Sequence, residues 1–350
     1  MNATAALRTD RSAWLARAVV DACELELRAL KPGNVGLHGG GHGMSTADFA
    51  VSAAAVAPPL SAPGLRVGER ILAAVQARRL VVSCNTNLGI VLLAAPLAQA
   101  ALAAAAESGG LRQALATVLA DLDIEDARLA YEAIRLAEPG GLGRSARHDV
   151  AEPPSVTLME AMREASARDG IARQYAEGFS DVLDLAVPLW REALARWGRR
   201  EWAATAVYLN LMAWLPDTLV ARKFGAPAAA EVATHAGELA EGLGRCADPE
   251  SVVPALLEWD RELKGRGLNP GTSADLTVAT MLAAAIEDAL ETEFTAAEPN
   301  PGLRGKMTGE SSRVTHPTVQ SRGGTPWQKS TDCASASRWS ATATRSPTST

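Results

Sequence analysis

Three polar side chains, Asn85, Thr86 and Asn87, stand directly before an apolar stretch that carries no charge. Asn and Thr compete with the backbone for hydrogen bonds and normally mark a turn or a helix cap. One capping residue is enough to start a helix, so the other two are available to a ligand. The N-terminus of a helix presents unpaired N–H groups and a partial positive charge. The two side chains that do not cap the helix can therefore bind phosphate oxygens.

A second cluster, LKPGNVGLHGGGHG, begins where the first predicted helix stops. Lys31 is interpreted either as a phosphate-binding residue, with Gly33 allowing close backbone approach, or as a cation favoured at a helix C-terminus. Asn34 follows in the same motif. Glu26, more than one turn earlier, is either a metal ligand or part of a solvated helix face. His38 and His42 make an incomplete metal site, and a surface loop is the better interpretation.

Acidic residues recur at two later helix starts. Asp217 follows Pro216 and is either an N-terminal helix residue or a carboxylate that binds Mg²⁺. Thr272 to Asp275 has the T-x-x-D spacing of a capping box, which would explain Asp275 structurally. Asn269, Gly271 and Thr272 alternatively shape a loop able to cradle phosphate.

A central loop, residues 138–154, contains the run GLGRSARHDV. Arg144 and Arg147 suit phosphate, although loop arginines are commonly just solvated. Asp149 is a candidate catalytic carboxylate, and His148 is a weaker candidate for a general base.

Composition predicts an all-α fold to position these clusters. The chain has 350 residues, of which 47% are hydrophobic and only 4% aromatic, and no alternating strand pattern is present. The formal net charge of −6 argues against a nucleic-acid partner. Four well-separated cysteines without a CxxC pair favour reduced thiols and a cytoplasmic protein. A homo-oligomer is compatible with this composition.

Residues 1–296 are predicted to form a single multi-helix domain. Leu88–Ala106 is uncharged and long enough to span a bilayer, but its Ala-rich composition and Pro96 favour a buried helix of a non-membrane protein. Leu111–Ala137 is predicted as one helix. Residues 297–350 are rich in Ser, Thr, Gly and Arg, so we expect a disordered tail, either native or an out-of-frame extension.

Six motifs occur in an order that resembles the triphosphoribosyl-dephospho-CoA synthase family, over roughly residues 12–293. They are KPGNV, NTNLGI, PGGLG with its following DV, the stretch TLMEAMREASARDGIARQYAEGF, PDTLVARKFG and NPGTSADLTVATM. The likeness is strongest to the branch found in archaea and methylotrophic bacteria.

The resemblance implies an all-helical transferase that joins ATP to 3′-dephospho-CoA and releases adenine. Its product, 2′-(5″-triphosphoribosyl)-3′-dephospho-CoA, is the precursor of a prosthetic group. ATP is then a substrate, and Mg²⁺ is expected with it. Matching the motifs gives three groups of site residues: catalytic Asp217, Asp149 and Lys31; nucleotide-binding Gly33, Asn34, Asn85, Thr86, Asn87, Gly141, Arg222, Gly271 and Thr272; and metal-binding Asp217 and Asp275. Glu26, which lies outside the motifs and five residues before Lys31, is a further candidate metal ligand.

Two motifs depart from the family pattern. Citrate-lyase members typically have Asn-Thr-His-Lys-Gly where this chain has Asn85-Thr86-Asn87-Leu88-Gly89, and Gly36 replaces an acidic residue. Two alternatives follow: a ribosyl transferase acting on a pterin or another C1-cofactor precursor, or a helical nucleotide-binding protein without catalysis.

Overall fold

The computed structural model describes residues 3–40, 43–104, 110–140 and 142–297, with side chains from residue 11 to residue 292 of those ranges. The all-α prediction is confirmed, because the described residues contain helices and no strand. The predicted disordered tail, residues 297–350, lies outside the described residues apart from residue 297. Gly141 and His42 also lie outside them.

Fourteen α-helices are present in the described ranges. They are α1 Ala3–Arg28, α2 Thr46–Ser61, α3 Val67–Arg79, α4 Leu88–Ala103, α5 Gly110–Ala120, α6 Ile124–Ala137, α7 Leu158–Ala165, α8 Gly170–Ala176, α9 Val187–Trp197, α10 Arg200–Trp214, α11 Thr218–Phe224, α12 Ala226–Arg245, α13 Val253–Gly265 and α14 Gly271–Ala297. A π-helical turn, Asp181–Ala186, precedes α9, and a 3₁₀ turn, Pro249–Val252, precedes α13.

Helix α4 lies in the centre of the fold. It packs against α1, α2, α3, α5, α8 and α14, and its side chains are almost all buried. A helix that is apolar all round needs such surroundings, so the prediction of a buried core helix is confirmed. In the described parts of the chain, none of the helices has the length and apolar character to cross a membrane.

The prediction of one helix over Leu111–Ala137 is wrong. The chain breaks after α5, and Asp123 begins α6 by accepting hydrogen bonds from the N–H groups of Glu125 and Asp126 at 2.9 and 3.0 Å. Asp126 completes a capping box by accepting from the N–H of Asp123. This local cap favours a new helix start over continuation, and the apolar periodicity on either side does not reveal it.

Candidate functional site

One cavity of about 710 Å³ lies where α1, α4, α8, α11 and α14 meet the loop after α6. Most of the residues that the sequence singled out are on its wall. These are Glu26, Asn34, Asn85, Thr86, Asn87, Asp149, Arg222, Gly271, Thr272 and Asp275. Motifs far apart in the chain therefore converge on one site.

Helix starts form much of this wall, and hydroxyl groups join three of them. Thr218 at the start of α11 accepts a hydrogen bond from the N–H of Gly170 on α8 at 3.0 Å. Its hydroxyl also lies 3.1 Å from that of Thr272 on α14. A Cβ on Gly271 would stand 2.7 Å from Leu219, so glycine allows α14 to begin close against α11. Gly271 and Thr272 thus have a packing role alongside the predicted contact with phosphate.

Lys31 is buried behind the wall, with 1% of its side chain exposed. Its ammonium forms an ion pair with Glu26 and donates to Asn34 Oδ1 at 2.7 Å and to the carbonyl of Val35 at 2.8 Å. An ammonium has three N–H donors, and all three are used. The structure therefore places Lys31 as a support for two wall residues, Glu26 and Asn34, rather than as a free phosphate ligand.

Burial shifts the pKa values of this pair in opposite directions. Loss of water raises the pKa of Glu26 and lowers the pKa of Lys31, while the attraction between the two charges opposes both shifts. Asn34 extends the chain of contacts by donating to Asn269 Oδ1 at 2.9 Å. The Glu26 carboxylate is consequently held in a fixed position at the cavity wall.

Asp217 does not line the cavity. Its Oδ1 accepts from the N–H groups of Leu219 and Val220 at 2.9 and 3.0 Å, and its Oδ2 accepts from the N–H and hydroxyl of Ser273 at 2.8 and 2.9 Å. Only 1% of the residue is exposed. Burial raises its pKa despite these four donors. The carboxylate caps α11 and ties it to α14, which is the structural alternative for this residue.

Asp217→Asn should lower the free energy of unfolding by about 2 kcal/mol, because the new amide turns an NH₂ group toward donors that need an acceptor. Urea denaturation measures this loss. Asp248→Asn is the matched control, since Asp248 accepts one backbone N–H at an exposed 3₁₀ turn. An equal loss in both variants would contradict the bridging role.

The three polar residues before α4 have separate roles. Asn85 Oδ1 accepts from the N–H of Leu88 at 3.3 Å, and Thr86 donates to the hydroxyl of Ser52 at 2.6 Å. Asn87 makes no capping bond with its side chain, and its buried Nδ2 has no hydrogen-bond partner. Asn87 therefore contributes a buried donor without a protein acceptor, while Asn85 also lines the cavity and uses its Oδ1 in the turn before α4.

Asp275 occupies the wall next to the first turn of α4. A Cβ on Gly89 would stand 2.0 Å from Asp275 Oδ2, so the carboxylate lies against the helix start itself. Burial, together with the negative charges of Glu26, Asp217 and Asp169, raises the pKa of Asp275 well above its usual range. Asp275 makes no hydrogen bond or ion pair within the described part of the chain, so the capping-box interpretation does not account for it.

Cations gather on the part of the wall nearest the loop 142–150. Arg168 donates to the hydroxyl of Ser145 at 2.9 Å, and Arg222 pairs with Asp169 at 3.3 Å. Lys223 lines the cavity and has no ion-pair or hydrogen-bond partner among the residues that the structure describes. Sequence analysis missed Arg168 and Asp169 as site residues, although it placed the break between two helices at this point. The dipeptide Asp169-Gly170 was the available signal, because Asp169 caps α8.

Asp149 organises the loop rather than standing free. Its carboxylate accepts from the N–H groups of Ser145 and Ala151 at 2.7 and 2.8 Å, and these bonds lower its pKa. His148 also lines the cavity, with a backbone φ of 51°.

Gly33 lies outside the cavity wall. Its φ is 81°, and it packs against Leu263, where a Cβ on Gly33 would stand 2.8 Å from Leu263 Cδ1. Its close approach is to α13, and it does not line the cavity.

The predicted magnesium ligands do not form a protein-built metal site. Within the described ranges, no group of three or more His, Cys, Asp or Glu side chains is arranged to hold a metal ion. Asp217 is fully occupied by four donors, and Glu26 is paired with Lys31, which leaves Asp275 as the one unpartnered carboxylate of the predicted set.

The family-wide comparison decides the assignment. The family model for ATP:dephospho-CoA triphosphoribosyl transferase matches residues 12–294. The chain belongs to this family. The resemblance drawn from the six ordered motifs is thereby confirmed, and the family match covers every element of the cavity wall.

Individual relatives agree with the family. A candidate triphosphoribosyl-dephospho-CoA synthase from Archaeoglobus fulgidus has a similar crystal structure, with a TM-score of 0.51 and 26% identity, covering 67% of this chain and 97% of that one. A candidate 2-(5″-triphosphoribosyl)-3′-dephosphocoenzyme-A synthase of Pectobacterium carotovorum subsp. carotovorum is 33% identical over 129 residues. A synthase of the same description from Pectobacterium atrosepticum is 36% identical over 114 residues. These two segments span 37% and 32% of this chain, and 40% and 35% of the Pectobacterium proteins.

Proposed function

We propose that this protein transfers the triphosphoribosyl group of ATP to a hydroxyl of 3′-dephospho-CoA and releases adenine. The observation that carries the proposal is the division of charge in the cavity. Glu26 and Asp275 are wall carboxylates that pair with none of the wall cations Arg168, Arg222 and Lys223. The carboxylates near those cations are already occupied, Asp149 by backbone N–H groups and Asp169 by Arg222. A reaction with a cationic sugar attached to an anionic triphosphate suits this division.

In the proposed reaction, the bond between C1′ of the ATP ribose and adenine breaks, and the acceptor oxygen forms a new bond to C1′. The acceptor hydroxyl loses its proton, and the departing adenine gains one. Positive charge develops on the sugar in an oxocarbenium-like transition state. Carboxylates fixed at the wall, such as Glu26 held by Lys31, stabilise that charge without needing to reorganise.

The cationic part of the wall is proposed to hold the triphosphate, which the reaction retains. Arg222 and Arg168 are positioned by Asp169 and Ser145, and the loop that carries Ser145 is organised by Asp149. Mg²⁺ is proposed to enter with ATP, with triphosphate oxygens and water as its ligands. The protein supplies cations and N–H donors around it.

Apolar residues line the remainder of the cavity and are proposed to receive adenine and the acceptor's less polar parts. They include Phe49, Leu92, Tyr131, Ile134, Leu158 and Met162. Ligand pockets commonly combine such apolar walls with a few polar groups that fix orientation.

Lys223→Met should raise the KM for ATP by about tenfold, the loss expected for one charge-assisted contact, with kcat changed by less than about threefold. Arg245→Met is the control, because Arg245 pairs with Glu241 on an exposed surface of α12. Steady-state kinetics over ATP concentration measures the difference. A KM for ATP unchanged by Lys223→Met would show that Lys223 does not bind the triphosphate.

Adenine release tests the proposed function. The full chain is incubated with ATP, Mg²⁺ and 3′-dephospho-CoA, and free adenine is measured by chromatography. Adenine that appears only with the acceptor supports the proposal. Adenine released with a pterin precursor but not with dephospho-CoA would show that the protein uses a different acceptor. ATP binding without adenine from any acceptor would identify a non-catalytic nucleotide-binding protein.

A further inference from the structure

Asn87 and Asp275 form an unpaired polar corner of the cavity. Asn87 is 5% exposed, lines the cavity and has a buried Nδ2 without a hydrogen-bond acceptor. Asp275 lines the same cavity and lies against Gly89, which is two residues after Asn87 in the chain. Asp275 has no hydrogen-bond or ion-pair partner in the described residues. A buried polar group left unsatisfied is unfavourable, so a ligand that satisfies both groups gains affinity here. The corner offers one donor group and one acceptor group.

Phosphate does not suit this corner. Although a helix N-terminus attracts anions, the Asp275 carboxylate already lies against the start of α4. Glu26, Asp217 and Asp169 add negative charge to its surroundings, and Lys31 is already paired with Glu26. A phosphate placed beside Asp275 would face the negative charges of these neighbours in a poorly solvated site.

We propose that Asn87 and Asp275 recognise the two neighbouring hydroxyls of an unphosphorylated ribose and reject a ribose that carries a phosphate there. Asn87 Nδ2 donates to one hydroxyl oxygen, and the Asp275 carboxylate accepts from the hydroxyl protons. The proposal rests on the proposed function for its substrates. Both of those substrates contain such a diol: the ribose of ATP and the ribose of dephospho-CoA.

Equilibrium binding to the full chain tests the corner and needs no turnover. Two sets of probes separate the sources of the diol: ATP against 2′-deoxy-ATP and 3′-deoxy-ATP, and dephospho-CoA against CoA. The second pair differs only by the 3′-phosphate. We expect the wild type to favour the unmodified diol by at least about tenfold in one set, since a lost hydrogen bond to a charged group costs about 1.5–3 kcal/mol.

Two variants change the corner in different ways. Asp275→Asn removes the charge, and Asn87→Ala removes the donor without deleting a helix cap, because the Asn87 side chain makes no capping bond. Either variant should reduce the preference to below about threefold. The control Glu287→Gln, a carboxylate-to-amide change on α14 where Glu287 pairs with Arg191 at 3.1 Å, should retain the preference. Circular dichroism confirms that each variant is folded.

The outcomes separate this inference from the proposed function. Reduced discrimination among ATP analogues assigns the corner to the ATP ribose, and reduced discrimination between dephospho-CoA and CoA assigns it to the acceptor ribose. Equal discrimination in the wild type and both variants, or no discrimination in the wild type, would overturn the inference even if adenine is released. Absence of adenine release, with variant-sensitive discrimination retained, would overturn the proposed function alone.

Discussion

Gly89→Ala should reduce adenine release by about 100-fold or more. The new Cβ would stand 2.0 Å from Asp275 Oδ2, 2.6 Å from Asp275 Cγ and 2.8 Å from Ile171 Cδ1. Real structures do not tolerate such contacts, so either Asp275 or the start of α4 must move. A displacement of about 1 Å in a reacting or binding group is enough to cost about 100-fold in rate.

The loss of activity in Gly89→Ala should exceed what its stability explains. Overpacking in a well-packed interior costs about 1–3 kcal/mol, so we expect the variant to remain folded. Gly242→Ala on α12 is the matched control, because a Cβ there meets nothing within 4 Å. Alanine in place of glycine in a helix should raise the free energy of unfolding by about 1 kcal/mol. Thermal unfolding and adenine release are measured on both. Full activity in Gly89→Ala would contradict the placement of Asp275 against α4.

Lys31→Met should lower the free energy of unfolding by about 3–5 kcal/mol, because it leaves the buried Glu26 carboxylate without its counter-charge. The double variant Glu26→Gln/Lys31→Met removes both charges, so it should recover much of that loss while still failing in catalysis. Arg128→Ala is the control, since Arg128 pairs with Glu125 on an exposed face and contributes about 0–1 kcal/mol.

The destabilisation in Lys31→Met should also depend on pH. Without Lys31 the attraction that opposed burial is lost, so the pKa of Glu26 in the folded state rises further above that of the unfolded chain. The folded state then binds a proton more readily, and stability increases as the pH falls through the raised pKa. Urea denaturation from pH 7 to pH 5 should show a shrinking difference from the wild type. A pH-independent difference would contradict the buried ion pair.

Local pattern and motif order predicted the coarse features of the molecule. The all-α fold follows from Ala- and Leu-rich composition, and α4 as a core helix follows from a run without charge. Many polar residues of the cavity wall, although not Arg168, Asp169 or Lys223, were predicted from motifs in which Asn, Asp, Thr and Gly gather at helix ends. Such residues mark helix starts for local reasons, so their clustering located the site without fixing each role.

Individual roles depend on contacts between residues far apart in the chain. From the sequence, Asp217 is equally a candidate metal ligand and a candidate helix cap. The structure distinguishes the two, because Ser273, 56 residues later, donates a hydrogen bond to its Oδ2. The sequence predicts that Lys31 is available to bind phosphate, whereas the structure shows it buried in an ion pair with Glu26. The sequence around Asn87 does not indicate that its side-chain amide lacks a partner. The sequence around Asp275 does not indicate that its carboxylate lies against Gly89. Tertiary packing, which periodicity does not encode, decides these roles.

Mass spectrometry of the acceptor shows whether the triphosphoribosyl group is transferred to it. Dephospho-CoA is incubated with ATP, Mg²⁺ and the full chain, and the acceptor is analysed intact. We expect the acceptor to gain one triphosphoribosyl group for each adenine released, and Gly89→Ala to form this product at least about 100-fold more slowly. An acceptor of unchanged mass, with ATP converted to ADP and phosphate or left intact by the folded protein, would contradict this transfer.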